Sequence, residues 1–309
     1  MRSELPLAVC IMGPTASGKT ALAIDLAKAL NGEVISVDSA LIYQDMNIGT
    51  AKPSPQEQDG IKHHLIDIMS PEQSYSVADF LRDAQSCIED VLVRGKLPIL
   101  AGGTMMYFNA LIKGINQIPE SNAQVRLEIQ SQIEKNGLSA LHKQLQSIDP
   151  VSAGRIHEND PQRITRALDV YLSSGKTLTE WQSLEKSKLP YRFTQASIMP
   201  SERSQLHTNI AMRFDKMLAQ GLVDEVKALL SKYELQPDMP SLRSVGYRQV
   251  WQYLQGNMSE AEMRERGIIA TRQLAKRQVT WLRSWENLLS LETGDDNNIT
   301  RLVEKLSAT

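Results

Sequence analysis

Two regimes of apolar and polar positions follow one another along this chain. From Leu7 to about Gly114, short β-rich runs at Leu7–Met12, Glu33–Val37, His64–Ile68 and Leu97–Ala101 are separated by stretches with helical spacing. Strands that alternate with helices predict a parallel sheet built from βαβ units, hence an α/β fold. One intervening helix has visible ends: Ser76-Val77-Ala78-Asp79 has the form of a capping box, the pattern runs to about Val93, and Gly95 supplies a stop. After Gly114 the strand pattern is absent until Phe193. Helices are expected there at Asn122–Lys135, Leu138–Ile148, Pro161–Ser174 and Thr177–Leu184, punctuated by Gly137, Asp149-Pro150, Gly175 and Pro190. The run Phe193–Met199 then returns to the sheet. Helices at Ser204–Gln220, Leu222–Lys232, Ser244–Leu254 and Glu260–Ser284 follow, with Leu288–Leu291 as an edge strand. The expected organisation is a core over 1–114, an all-helical insertion over 115–192, and a return to the core with C-terminal helices over 193–309.

Ligands of open parallel sheets sit beyond the carboxyl ends of the strands. The first of those ends carries Gly13-Pro14-Thr15-Ala16-Ser17-Gly18-Lys19-Thr20, a full G-x-x-x-x-G-K-[ST] loop between a strand and a helix. Its glycines allow a tight turn whose backbone N–H groups point inward, Lys19 adds a positive charge, and the Thr20 hydroxyl is suited to Mg²⁺. The positive dipole end of the helix beginning near Gly18 falls on the same spot. The chain is therefore a P-loop protein, and the loop binds a phosphate whose identity it does not disclose.

Composition narrows the partners. A net charge of −2 over 309 residues means that any nucleic-acid binding must come from local basic patches. No run of about 18 apolar residues exists, and the start of the chain has no signal-peptide core, so a cytoplasmic protein off the membrane is expected, and a monomer. Cys10 and Cys87, the only two cysteines, read as reduced buried thiols.

Three positions are expected around the phosphate loop. Asp38 ends the second strand, where a carboxylate can act as a general base or hold Mg²⁺ through water; the alternative is a turn or helix cap. Ala101-Gly102-Gly103-Thr104 ends another core strand, and its glycines allow close approach while the Thr104 hydroxyl faces the phosphate or caps a helix. Nucleotide hydrolases usually end such a strand in an acidic Mg²⁺-binding residue, so an ordinary NTPase is disfavoured, whereas a kinase using Asp38 or Asp67 stays open. Arg213 either neutralises charge on a phosphate or is an exposed helical arginine.

Basic and polar clusters form a second group. Asp160-Pro161 starts a helix and leaves Gln162 and Arg163 at its N-terminus. Arg243 and Arg248 flank Gly246 and Tyr247, a ring suited to stacking on a base. Arg272, Lys276 and Arg283 fall on one face of the last long helix, a pattern that also describes a solvated face. The tandem His63-His64 cannot chelate one metal simply, since strand neighbours point to opposite faces. Trp181, Trp251, Trp281 and Trp285 read as packing residues.

Taken in order, the phosphate loop, Ser36-Val37-Asp38-Ser39, Tyr75-Ser76-Val77-Ala78-Asp79-Phe80, Ala101-Gly102-Gly103-Thr104, Asn159-Asp160-Pro161-Gln162-Arg163, Val245-Gly246-Tyr247 and Thr271-Arg272-Gln273-Leu274-Ala275-Lys276-Arg277-Gln278 give the chain a resemblance to the tRNA dimethylallyltransferases, or tRNA isopentenyltransferases. The likeness runs from Leu7 to about Trp285. Two segments depart from the family's commoner Gly-Leu-Tyr and Gln-Val-Tyr, namely Met105-Met106-Tyr107 and Leu41-Ile42-Tyr43, and both keep the tyrosine.

The resemblance implies transfer of a dimethylallyl group from dimethylallyl pyrophosphate to N6 of the adenosine 3′-adjacent to the anticodon. Pyrophosphate, the leaving group, would be held by residues 13–20, Arg213 and Mg²⁺, with Thr20 as metal ligand. Asp38 would accept the N6 proton and Thr104 would hydrogen-bond the bridging oxygen. The anticodon stem-loop would be gripped by Asp38, Ser39, Ala40, Leu41, Tyr43, Thr104, Arg126, Gln162, Arg163, Ile164, Thr165, Arg166, Arg243, Ser244, Val245, Gly246, Tyr247, Arg248, Arg272, Lys276 and Arg277. A metabolite kinase and a non-catalytic RNA-binding module are the competing readings, and the second has no use for Lys19 and Thr20.

Overall fold

A computed structural model describes residues 5–307. The first four residues, part of the start expected to carry no signal peptide, lie outside the described residues. The first half of the chain runs β1 (Leu7–Met12), α1 (Lys19–Ala29), β2 (Gly32–Val37), α2 (Pro55–Gln58), β3 (His63–His64), α3 (Val77–Val93), β4 (Leu97–Gly102) and α4 (Met105–Lys113). Five helices follow: α5 (Ala123–Asn136), α6 (Leu138–Ile148), α7 (Pro150–Arg155), α8 (Pro161–Ser174) and α9 (Leu178–Ser183). The remainder is β5 (Arg192–Met199), α10 (Arg203–Ala219), α11 (Leu222–Lys232), α12 (Tyr247–Leu254), α13 (Glu260–Arg283), β6 (Leu289–Glu292) and α14 (Asn298–Ser307).

The six strands are all parallel, in the order β3-β2-β4-β1-β5-β6. The central strands are buried on both faces, which is why they read as continuous apolar runs rather than alternating ones. Val9, Ile11, Val34, Ile99, Ala196 and Ile198 form one core with Leu22, Ala23 and Leu26 of α1 and Leu302 of α14. Glu33 is the buried charge in β2; it accepts hydrogen bonds from Arg94 at 2.6 Å and Lys96 at 2.9 Å and pairs with His64 at 2.7 Å. Register decides what happens at the carboxyl edge: Gly102 pairs with Met12 on one side and Val37 on the other, so β1, β4 and β2 leave the sheet in one row.

Lys113–Leu189 forms a compact unit by itself, and the residues before and after it form another. The smaller unit is helical, with Ile129, Leu141, Leu145, Ile164, Ala167 and Leu168 in its core. Asp160 caps α8 as expected, accepting from the N–H of Arg163, and Asn122, expected as the first residue of its helix, instead caps α5 by accepting from the N–H of Gln124.

Three local expectations differ from the structure. The strand expected at His64–Ile68 stops after His64, because Leu65 and Asp67 adopt left-handed backbone (φ 60° and 56°) that cannot continue an extended chain. The helix expected from Ser244 begins at Tyr247, since Gly246 sits at φ 93°. Helices α2, α4, α7 and α14 have no counterpart among the expected elements.

Candidate functional site

The loop after β1 is a tight turn with two residues in the left-handed region, Ala16 at φ 63° and Gly18 at φ 86°. That alternation turns successive N–H groups to the same side and makes an anion-binding concavity. α1 begins at Lys19, so its first N–H groups and dipole add to the loop. The Lys19 ammonium donates to the Pro14 carbonyl at 3.2 Å. Burial, the dominant cause, and the nearby Arg213 cation lower its pKa to about 8 against an opposing pull from Asp38. Thr20 is exposed in the first turn of α1, and the buried Ser17 hydroxyl has no hydrogen-bond partner among the described residues.

Asp38 and Thr104 leave β2 and β4 side by side. Asp38 uses one carboxylate oxygen to accept from the Ala40 N–H at 2.9 Å, a local turn contact. The Thr104 hydroxyl accepts from the Ser39 N–H at 3.1 Å and donates to the Ser39 hydroxyl at 3.5 Å, a long contact that a closer acceptor can replace, while the Thr104 carbonyl takes the first hydrogen bonds of α4. Gly103 admits no side chain, because a Cβ there would run into the amide of Gln278. Gln278 ties the site together: its side-chain oxygen accepts from the Thr15 N–H at 2.9 Å and its amide donates to the Gly103 carbonyl at 2.9 Å.

Thr15, Lys19, Asp38 and Gln278 meet in a cavity of about 120 Å³, whose lining does not include Thr104 or Thr20. Its lining combines the polar side chains of Thr15, Lys19, Asp38 and Arg213 with the apolar ones of Ile210, Phe214, Met217, Val245 and Leu274. Arg213 therefore lies in the cavity wall and donates to the Thr50 carbonyl at 3.3 Å. Burial lowers its pKa, with Asp38 acting in the opposite direction.

The residues expected to touch RNA divide into several groups. Arg243, Arg248 and Arg277 line one open groove of about 480 Å³ together with Arg266 and three glutamines, Gln249, Gln252 and Gln273. Ala40, Ser244 and Val245 border the cavity, and Ser39 is exposed beside Thr104. Leu41 is half-buried and accepts from the Asp67 N–H. Lys276 is exposed on α13; Arg272 is half-buried and its Nε has no hydrogen-bond partner among the described residues. In the helical unit Arg126, Gln162 and Arg163 are exposed and Thr165 is half-buried.

Four of these expectations are corrected by burial or by existing bonds. Tyr247 offers no face for stacking: it is 0 % exposed, packs against Gly49, and donates from its hydroxyl to Glu225 at 2.6 Å. Tyr43 is buried in the same core. Ile164 belongs to the core of the helical unit. Arg166 is engaged within that unit, donating to the Pro119 carbonyl at 2.7 Å and pairing with the buried Asp169 at 3.2 Å.

Gln278 and Glu225 were not among the expected site residues. Gln278 had a readable signal, since it interrupts the buried stripe of Ala275 and Leu282 on α13. Glu225 had none, because a glutamate in the first turn of a helix is ordinary.

The sequence profile of the IPP transferase family matches residues 41–285. Among solved structures, the chain is similar to a tRNA isopentenylpyrophosphate transferase from Bacillus halodurans, with 37% identity over 98% of this chain and 96% of that one and a TM-score of 0.72. A tRNA isopentenylpyrophosphate transferase from Staphylococcus epidermidis is 34% identical over 98% of each chain, with a TM-score of 0.68. A eukaryotic dimethylallyltransferase acting on tRNA is 28% identical over 96% of this chain and 78% of that one, with a TM-score of 0.81.

Proposed function

The chain belongs to the IPP transferase family and is an enzyme of the tRNA isopentenyl- and dimethylallyltransferase class, and on that premise we propose that it transfers a dimethylallyl group from dimethylallyl pyrophosphate to N6 of the adenosine immediately 3′ to the anticodon. The observation that carries this reading is the division of the cavity lining between polar side chains, Lys19, Arg213 and Asp38 among them, and apolar ones, Ile210, Phe214, Met217, Val245 and Leu274. A pyrophosphate bearing a small apolar chain has the same division.

In this reading the loop N–H groups, Lys19 and Arg213 hold the pyrophosphate. The allylic C–O bond breaks with its electron pair passing to the bridging oxygen, where the Thr104 hydroxyl donates a hydrogen bond as charge develops. The N6 lone pair forms the new bond to the allylic carbon, and the N6 proton passes to Asp38. N6 is a poor nucleophile because its lone pair is delocalised into the ring, so the base must be unstacked and held against both Asp38 and the allylic carbon.

Mg²⁺ fits this site in a limited way. Among the described residues no group of three or more His, Cys, Asp or Glu side chains is arranged to hold a metal, whereas the exposed Thr20 hydroxyl adjoins the loop. An ion would take Thr20, phosphate oxygens and water as ligands, the usual habit of Mg²⁺, and would supply charge neutralisation of the leaving group. The groove of Arg243, Arg248, Arg266 and Arg277 supports phosphate-backbone binding of the tRNA. Among the described residues no helix is long and apolar enough to cross a membrane.

The test is incubation with labelled dimethylallyl pyrophosphate or labelled ATP, with and without tRNA. Label from the prenyl donor should enter tRNA at one adenosine. Phosphate transfer from ATP without prenyl transfer would make the enzyme a kinase instead.

A further inference from the structure

Gly49 and Thr50 belong to a turn, yet they form part of the cavity wall. The segment around them carries two non-glycine residues with left-handed backbone, Asp45 at φ 61° and Ala51 at φ 49°. Such residues persist where the surroundings enforce them. Here α11 does so at both of its ends. In its first turn the Glu225 carboxylate accepts three consecutive backbone N–H groups, from Asn47 at 2.9 Å, Ile48 at 2.7 Å and Gly49 at 3.1 Å, and the Tyr247 hydroxyl at 2.6 Å. At the far end Lys232 and the adjoining Tyr233 each donate to the Asp45 carboxylate at 2.6 Å. The Tyr247 ring presses on Gly49 so closely that a Cβ there would lie 2.5 Å from it. The fixed segment in turn presents the Thr50 carbonyl to Arg213.

We propose that α11 is a clasp that sets the cavity wall, with Glu225 and Tyr247 as positioning residues acting through Thr50 on Arg213. The inference rests on the donor reading of the cavity given above. Its chemistry is specific: four donors converge on Glu225, and only an ionised carboxylate offers acceptors alone. A glutamine of nearly the same shape keeps one acceptor oxygen and turns an N–H₂ group toward groups that are themselves donors.

The experiment compares wild type with Glu225→Gln and Tyr247→Phe in the full chain, by amide hydrogen exchange, by titration with inorganic pyrophosphate, and by steady-state kinetics. In Glu225→Gln the amides of Asn47, Ile48 and Gly49 should exchange about tenfold faster while those of β1 and β4 keep their protection. Pyrophosphate should bind several-fold more weakly, and KM for dimethylallyl pyrophosphate should rise while KM for tRNA does not. Tyr247→Phe should move the same quantities less, and the double variant should be no worse than Glu225→Gln alone, because both act through one contact. If Glu225→Gln does not fold, Tyr247→Phe carries the test by itself. Unchanged protection at 47–49 with unchanged pyrophosphate affinity would overturn the clasp, and so would a loss of protection spread evenly through the sheet. A wild type without prenyl transfer would defeat the donor reading instead, leaving exchange and pyrophosphate affinity to decide on the clasp.

Discussion

Thr15 and Gln278, 263 positions apart in the chain, are joined by a hydrogen bond of 2.9 Å from the loop N–H to the side-chain oxygen. The same amide group reaches Gly103, so one buried side chain of α13 links the loop after β1 to the turn after β4. Replacing it by alanine leaves a half-buried donor and a buried acceptor without their protein partners. Gln278→Ala should therefore lose about 2 kcal/mol of stability in urea unfolding. It should also weaken donor binding, whereas a stability loss with unchanged KM for the donor would make Gln278 a packing residue.

Lys19 gives a pH dependence with two opposite signs. Its folded pKa of about 8 lies below the ordinary lysine value of 10.5. In the free enzyme the unfolded chain holds more protons between those values, so folding stability should rise with pH across that window. Donor binding needs the ammonium, so pyrophosphate affinity should fall as pH rises through about 8. Bound pyrophosphate brings opposing charge and should return the pKa upward. Affinity titrations at pH 7 and pH 9, paired with thermal melts of the free enzyme, check both signs.

Thr104 accepts from the Ser39 N–H at 3.1 Å and gives its own hydrogen only to a long contact of 3.5 Å with the Ser39 hydroxyl. If it donates to an oxygen that gains charge only as the allylic bond breaks, Thr104→Ala should lower kcat by about 10²–10³-fold with little change in KM. Thr104→Ser should recover most of the rate. Single-turnover measurements with saturating tRNA give the number directly, and a pure KM effect would reassign Thr104 to ground-state binding.

The arginine groove predicts a salt signature. Replacing Arg248 or Arg277 by alanine should reduce the slope of log affinity against log salt by about 1 each, uniformly across tRNA sequences. Pyrophosphate affinity should stay unchanged, because neither residue lines the cavity.

The features legible in the sequence are those that obey local rules. The βαβ alternation and the capped helices each depend on residues close in sequence, and apart from β3 and the start of α12 the chain forms them where the pattern places them. Asp38 and Lys19 share a cavity because strand ends converge, a consequence of topology that the alternation already implies, whereas Arg213 reaches it from the interior of α10. The remainder depends on long-range contacts. Tyr247 looks like an exposed aromatic among arginines until Gly49 and Glu225 fold over it. Helix α4 hides because it is short and follows directly on the glycine turn of β4, with Asn109 and Lys113 as its only polar residues to mark an outer face. Arg166 is basic like its neighbours, and only the buried Asp169 shows where its charge is spent.

The row in which Met12, Val37 and Gly102 leave the sheet makes strand length itself a constraint on function. Removing one residue from the interior of β4 would draw Thr104 back by about 3.3 Å and turn the alternate side chains of the strand to the other face. The same deletion in a surface turn, such as that around Gly60, would leave the row untouched. Tolerance to insertion and deletion should thus fall to nothing across three short strands while staying high a few residues away, and a length-variant library scored for folding and for transfer would trace the active centre without altering one of its side chains.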